Sequence, residues 1–167
     1  ALTGASDNLD VTLSGADGDL DITGVNAANS LETLTINSIS DGTLDDIDLT
    51  NANTTKLVVT GSGASNIAGI TGAATTLNTI DAGAATGAVT VTGVNTTANT
   101  ITGGAGNDTL AGAAGNDTIS SGTGDDQVTG AAGNDNVTLG AGNDTVVLAT
   151  AADVTKDDAI DGGEGTD

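Results

Sequence analysis

GGAGNDTLA-GAAGNDTIS-SGTGDDQVT-GAAGNDNVT-LGAGNDTVV, residues 103–147, decides the fold. It divides into five lines of nine residues. Glycine holds the fourth place of every line: Gly106, Gly115, Gly124, Gly133 and Gly142. Aspartate holds the sixth: Asp108, Asp117, Asp126, Asp135 and Asp144. An aliphatic residue holds the eighth: Leu110, Ile119, Val128, Val137 and Val146. No insertion breaks the phase. Such a period marks a repeat architecture, in which one unit cannot bury its apolar face alone.

Within a line, the first six residues are turn chemistry. Glycine tolerates positive φ, and Asn and Asp are at home in turns. The last three alternate polar, aliphatic, polar, which predicts a very short strand with its middle side chain inward. Stacked lines then make a core. Leu110, Val128 and Val146 align on one wall, and Ile119 with Val137 on the other. Two lines form one coil, with parallel strands as walls and turns on both edges.

That stacking gathers negative charge. Asp108, Asp126 and Asp144 share one edge, and Asp117 and Asp135 share the other. At a strand spacing of about 4.8 Å these carboxylates crowd and repel. A hard divalent cation between successive turns removes the conflict, since carboxylates and carbonyls freed by the glycines are the oxygen ligands Ca²⁺ takes. The turns are therefore expected to fold as several Ca²⁺ ions bind.

The pattern Gly-Gly-x-Gly-x-Asp-x-aliphatic-x resembles the RTX (repeats-in-toxin) family of calcium-binding parallel β-rolls. The resemblance is close over residues 103–147 and looser over 153–167. It implies a right-handed roll, Ca²⁺ between turns on each edge, and type I secretion of an unfolded chain. Carried over residue by residue, it makes Asp108, Asp117, Asp126, Asp135 and Asp144 the metal ligands. Asp158 and Asp167 stand at the sixth place of two later, degenerate lines and join them. Four departures fall in the first two places: Ala113 and Ala131 replace the second glycine, Ser121 and Leu139 the first.

Composition narrows the rest. Of 167 residues, 2 are Lys or Arg and 23 are Asp or Glu, a formal charge of −21. That balance opposes binding to nucleic acid through its phosphates and adsorption to an anionic membrane. No apolar run is long enough for membrane insertion. No lysine follows a glycine-rich turn, as a phosphate-cradling loop requires. Aromatic residues, Pro, Cys, Met and His are absent. A globular core would be hard to fill from this set, whereas the thin core of a solenoid needs only Leu, Ile, Val and Ala. Without Cys there is neither disulfide nor thiolate site. With evenly repeated carboxylates and no cleft to set one pKa apart from its neighbour, no catalytic role is expected.

Upstream, aliphatic pairs recur among Gly, Asn, Ser and Thr, as in Leu9-Val11-Leu13, Leu34-Ile36, Leu57-Val59 and Val89-Val91. Their alternation predicts short strands. The fold class is thus all-β: a right-handed parallel β-solenoid with irregular rungs over 1–102, running into an RTX β-roll over 103–147. Residues 148–167 are a degenerate continuation that stops in mid-repeat, so the chain is expected to be a piece of a longer protein. Ten acids lie in 1–50, against only Asp81 in 51–102. The acidic stretches at 15–19 and 45–48 predict a solvated face, with further Ca²⁺ sites as the alternative. The neutral Thr/Ala/Gly part suits packing against another copy.

Richness in Thr, Ala, Asn and Gly, with few lysines and no aromatics, resembles the RTX-type surface-layer (S-layer) proteins of Gram-negative bacteria. The expectation is an extracellular, calcium-dependent structural protein that self-assembles into a homo-oligomeric lattice at the cell surface. An anchor to surface polysaccharide would lie in another part of the parent chain. Extracellular sites bind Ca²⁺ at about 10⁻⁴ to 10⁻³ M, and metal-binding free energy is folding free energy, so folding would wait for export. Two alternatives are an RTX adhesin stalk and the calcium-folding secretion module of a bacterial exoenzyme.

Overall fold

A computed structural model describes residues 7–13, 20–21, 31–39, 42–44, 47–48, 54–67, 77–92, 97–148 and 157–167. Among these residues the regular structure is all strand. The first strands are β1 (Asp7–Leu13), β2 (Leu20–Asp21), β3 (Leu31–Ser38), β4 (Gly42–Leu44) and β5 (Ile47–Asp48). There follow β6 (Lys56–Gly61), β7 (Ser65–Ile67), β8 (Thr79–Ala85) and β9 (Val89–Val91). The nonapeptide region supplies β10 (Thr100–Ala105), β11 (Thr109–Ala111), β12 (Thr118–Thr123), β13 (Gln127–Thr129), β14 (Asn136–Ala141) and β15 (Thr145–Val146). Last comes β16 (Ala159–Asp161).

These strands form two long parallel walls. One is eight-stranded in the order β1-β3-β6-β8-β10-β12-β14-β16, and the other six-stranded in the order β15-β13-β11-β9-β7-β4. A further pair, β2 and β5, is also parallel. From β6 to β16 successive strands alternate between the two walls and every second strand pairs, while upstream β3 pairs with β6 and β4 with β7, so the chain coils as a parallel β-solenoid. Thr and Asn are poor helix formers because their side chains compete for backbone hydrogen bonds. The β-branched residues instead suit a pleated, half-buried wall.

The register follows the eighth-place residues. Ile101 pairs with Ile119 and Ile119 with Val137 on the first wall. Leu110 pairs with Val128 and Val128 with Val146 on the second. Each coil here takes 18 residues, the separation between equivalent turn partners. Upstream coils are longer: Leu34 stacks on Leu57 and Leu57 on Ile80, and Thr55 bonds back 23 residues to Glu32. The coil is tighter by residue 103, and β10 itself runs across that point. Past residue 147 the coil lengthens again, so that Asp158 lies 23 residues from Asp135.

One core runs through the coil, from Leu31 and Leu34 through Ile67, Ile80, Val91, Ile101 and Leu110 to Val137 and Leu139. Each fully buried Leu, Ile or Val contributes about 1.5–3 kcal/mol. Single-residue rows suffice because neighbouring coils complete the enclosure. The short strand β4 has no aliphatic alternation to announce it; pairing with β7 creates it. Leu139, which takes the place of a first glycine, is a core residue 1% exposed. Outside the described residues lie the acidic 15–19 stretch, Asp45, Asp46, most of the five-residue insertion 148–152, and Lys156 in the degenerate line that follows it. The other lysine, Lys56, spans one coil to Asp81 at 2.8 Å. Its hydrogen bond is the main reason the Asp81 carboxyl lies below its usual pKa.

Candidate metal centre

The nonapeptide turns owe their shape to backbone that only glycine adopts cheaply. At Gly124, φ is +126°, and an added Cβ would stand 2.1 Å from the Gly106 carbonyl of the coil before. The second place is left-handed even where glycine is missing: φ is 75° at Ala113 and 71° at Ala131. The first glycine has a different duty. A Cβ on Gly103 would lie 2.4 Å from Asp108 Oδ2, and one on Gly112 at the same distance from Asp117 Oδ2. The first place is left bare because the sixth-place carboxylate folds over it. Where Ser121 stands instead, its hydroxyl donates to the Leu139 carbonyl.

Two ladders of side chains link turn to turn along each edge. In the inner ladder, one oxygen of each aspartate accepts the backbone N–H of the sixth-place residue one coil earlier. Asp108 N–H donates to Asp126 Oδ1, Asp126 N–H to Asp144 Oδ1, and Asp144 N–H to Asp167 Oδ1, at 2.8, 2.8 and 3.1 Å. On the other edge Asp117 N–H donates to Asp135 Oδ1 and Asp135 N–H to Asp158 Oδ1, both at 2.9 Å. All seven sequence-predicted residues therefore share the same Oδ1 ladder, five of them buried on regular turns, with Asp158 half-buried and Asp167 exposed on the degenerate ones.

The outer ladder is one the sequence reading overlooked. Fifth-place Asn107, Asp125 and Asn143 each use a side-chain oxygen to accept an N–H from the following coil: that of Asp125, Asn143 and Thr166. Asn116 does the same for Asn134. The signal was available, since every line has Asn or Asp in its fifth place. Asp125 is exposed and belongs to this outer ladder, not to the inner row beside it.

Chemistry sets the inner row apart. Asp108, Asp117, Asp126, Asp135 and Asp144 are all at most 4% exposed. In Asp108, Asp117, Asp126 and Asp144 the second oxygen, Oδ2, is buried without a hydrogen-bond partner. Leaving a buried acceptor unsatisfied is costly, and more so when it is charged. Burial pushes the Asp108 carboxyl up to about 6, against the Val89 N–H that stabilises its anion, and the charge of Asp126 adds to the rise. Asp117 and Asp126 are raised too, first by burial and then, more weakly, by the next carboxylate in the row. The sequence reading emphasised mutual repulsion; loss of water is the larger effect.

These residues fit a hard cation. Successive aspartates bring two carboxylates to each step of an edge. Among the described residues no three acidic, His or Cys side chains gather at one point. Backbone carbonyls of the glycine turns must therefore complete any ligand set, which suits Ca²⁺ and excludes a thiolate or imidazole metal site.

The family model of the RTX calcium-binding nonapeptide repeat, four copies long, matches residues 95–128 and again 112–146. Residues 95–146 are RTX repeats. RTX nonapeptide repeats bind calcium, and proteins that carry them are typically secreted. The first match begins upstream of Gly103, inside a line that the glycine pattern alone does not reveal: Asn99 holds its sixth place and Ile101 its eighth. No curated protein and no solved structure matches the chain.

Proposed function

We propose that this chain is a calcium-stabilised structural segment of an extracellular protein, of the self-assembling surface-layer kind. The observation that carries the reading is the set of buried, unpartnered carboxylate oxygens in the RTX roll, those of Asp108, Asp126 and Asp144 on one edge and that of Asp117 on the other. Asp108, Asp126, Asp144 and Asp167 would hold Ca²⁺ on one edge, and Asp117, Asp135 and Asp158 on the other. Ca²⁺, when bound, supplies the positive charge and oxygen coordination that those atoms lack. The aspartates meanwhile fix the spacing of the turns through their Oδ1 atoms. A metal-dependent fold of this type stays open where calcium is scarce and closes outside the cell, which suits export as an unfolded chain.

The lattice role is supported by the surface. Outward rows such as Thr100, Thr118 and Asn136 on the first wall are short and polar. A thin solenoid without aromatic or catalytic side chains serves as a building element, and no enzymatic role is assigned to it. Assembly would be with further copies of the same chain, the polysaccharide anchor lying elsewhere in the parent protein. Electron microscopy of the protein titrated with Ca²⁺ tests this. Ordered sheets support the surface-layer reading. An extended monomer at saturating Ca²⁺ contradicts it and favours an adhesin stalk. A folded monomer that speeds refolding of a fused upstream enzyme favours the secretion-module alternative.

A further inference from the structure

The inner ladder of the Asp117 edge does not begin with an aspartate. Asn99 stands one coil before Asp117, and its backbone N–H donates to Asp117 Oδ1 at 2.7 Å, as Asp117 N–H donates to Asp135 Oδ1. Strand register agrees: Thr100 pairs with Thr118 and Ile101 with Ile119. Asn99 is 4% exposed, as buried as the aspartates below it.

Its side chain meets what theirs do not. Asn99 Nδ2 donates to the Thr97 carbonyl at 2.7 Å, the Gly112 carbonyl at 2.9 Å and Asp117 Oδ1 at 3.1 Å. Two backbone carbonyls and a carboxylate of the next coil thus surround one nitrogen. One coil later, 18 residues on, the equivalent residues are Gly115, Gly130 and Asp135, and in place of an amide Asp117 brings Oδ2, a buried acceptor with no hydrogen-bond partner. An amide carries two N–H groups where a carboxylate carries none.

We infer that the Asn99 carboxamide takes the place of a cation at the head of the Asp117 edge, so that this turn closes without metal and the metal array there begins one coil later. The inference rests on the reading that the sixth-place aspartates bind Ca²⁺. Its consequence is a division of labour. The coils of residues 54–92, next above Asn99, need no ion: their one carboxylate, Asp81, is already paired with Lys56. That part offers a formed sheet edge, β8 and β9, on which the first RTX coil can be laid. Since each coil of a solenoid contacts only its neighbours, a ready-made end coil removes the slow first step for the rest.

Native mass spectrometry in Ca²⁺ and amide hydrogen exchange in EGTA test this on the full chain. Asn99→Asp should bind one Ca²⁺ more than the wild type. In EGTA the amide of residue 99 should exchange at least tenfold faster than in the wild type. The reciprocal Asp117→Asn should bind one Ca²⁺ fewer and should gain protection at residue 117 in EGTA. An unchanged ion count in Asn99→Asp, or its failure to fold in saturating Ca²⁺, overturns the inference; so does unaltered exchange in Asp117→Asn. If the wild type itself binds no Ca²⁺, the underlying metal reading falls as well, and the two failures are thereby distinguished.

Discussion

At the scale of single residues, the turns separate two kinds of substitution. Ala113 and Ala131 sit at φ 75° and 71°, a conformation that costs an L-residue about 1–2 kcal/mol. Glycine removes that strain but loses about 0.5–1 kcal/mol to chain entropy. Ala113→Gly and Ala131→Gly are each expected to stabilise the calcium-loaded roll by up to about 1 kcal/mol, read as a higher urea midpoint. Gly124→Ala should do the reverse, because its Cβ would strike the Gly106 carbonyl while φ stays strained. Strain and overpacking together are worth at least about 2 kcal/mol.

Neighbouring acids give a sharper residue-level contrast. Asp125 is exposed and does the work that Asn107, Asn116 and Asn143 do in their lines, accepting an N–H with one oxygen. Asp125→Asn is therefore expected to leave the calcium midpoint unchanged. Asp126→Asn removes a buried carboxylate whose Oδ2 has no other use. It should raise the midpoint by about tenfold, the equivalent of about 1.4 kcal/mol. Equal midpoints for the two variants in a calcium titration followed by circular dichroism would show the assigned phase to be wrong.

At the scale of the elements, the turn rows make the metal-free roll sensitive to acid in an unusual direction. A buried carboxyl whose folded pKa is raised binds its proton more readily folded than unfolded. Stability then falls as pH rises from the ordinary aspartate range through the folded value. For Asp108 that window closes at about 6, and Asp117 and Asp126 shift the same way, chiefly through burial. In EGTA the roll should thus gain β signal as pH falls from 7.5 to 5. In Ca²⁺ the proton competes for the same oxygens, so the calcium midpoint should rise over the same interval. A metal-free spectrum that weakens on acidification would contradict this.

Elements also mark how far a sequence alone could be read. The pairing of Leu110 with Val128 and of Ile119 with Val137 was legible because the nine-residue period admits only that stacking. The two edges of aspartates followed from the same arithmetic. Asn99 was not legible: it carries no glycine around it, and its role rests on three acceptors brought from separate places in the chain. The outer Asn ladder was overlooked because Asn in a glycine-rich turn has a sufficient local explanation. Strand β4 was hidden because parallel partners, not its own residues, hold it extended.

The whole molecule has one core with two kinds of edge. Upstream of the roll, the Lys56–Asp81 pair bridges wall strands β6 and β8, and the turn at Asn99 closes through its amide. Downstream, the turns close on carboxylates that water no longer reaches. The formal charge of −21 adds long-range repulsion that divalent ions relieve along with the local need. With Ca²⁺ bound as proposed, ions and not packing alone hold the RTX coils together. Residue-resolved hydrogen exchange with and without calcium measures this most directly, at the amides of Asp108, Asp117 and Asp126, each bonded to the carboxylate one coil on. Strong protection is expected in Ca²⁺ and its loss in EGTA at pH 7.5, while core strand β6 stays protected in both. Equal protection of the three aspartate amides in Ca²⁺ and in EGTA would contradict it.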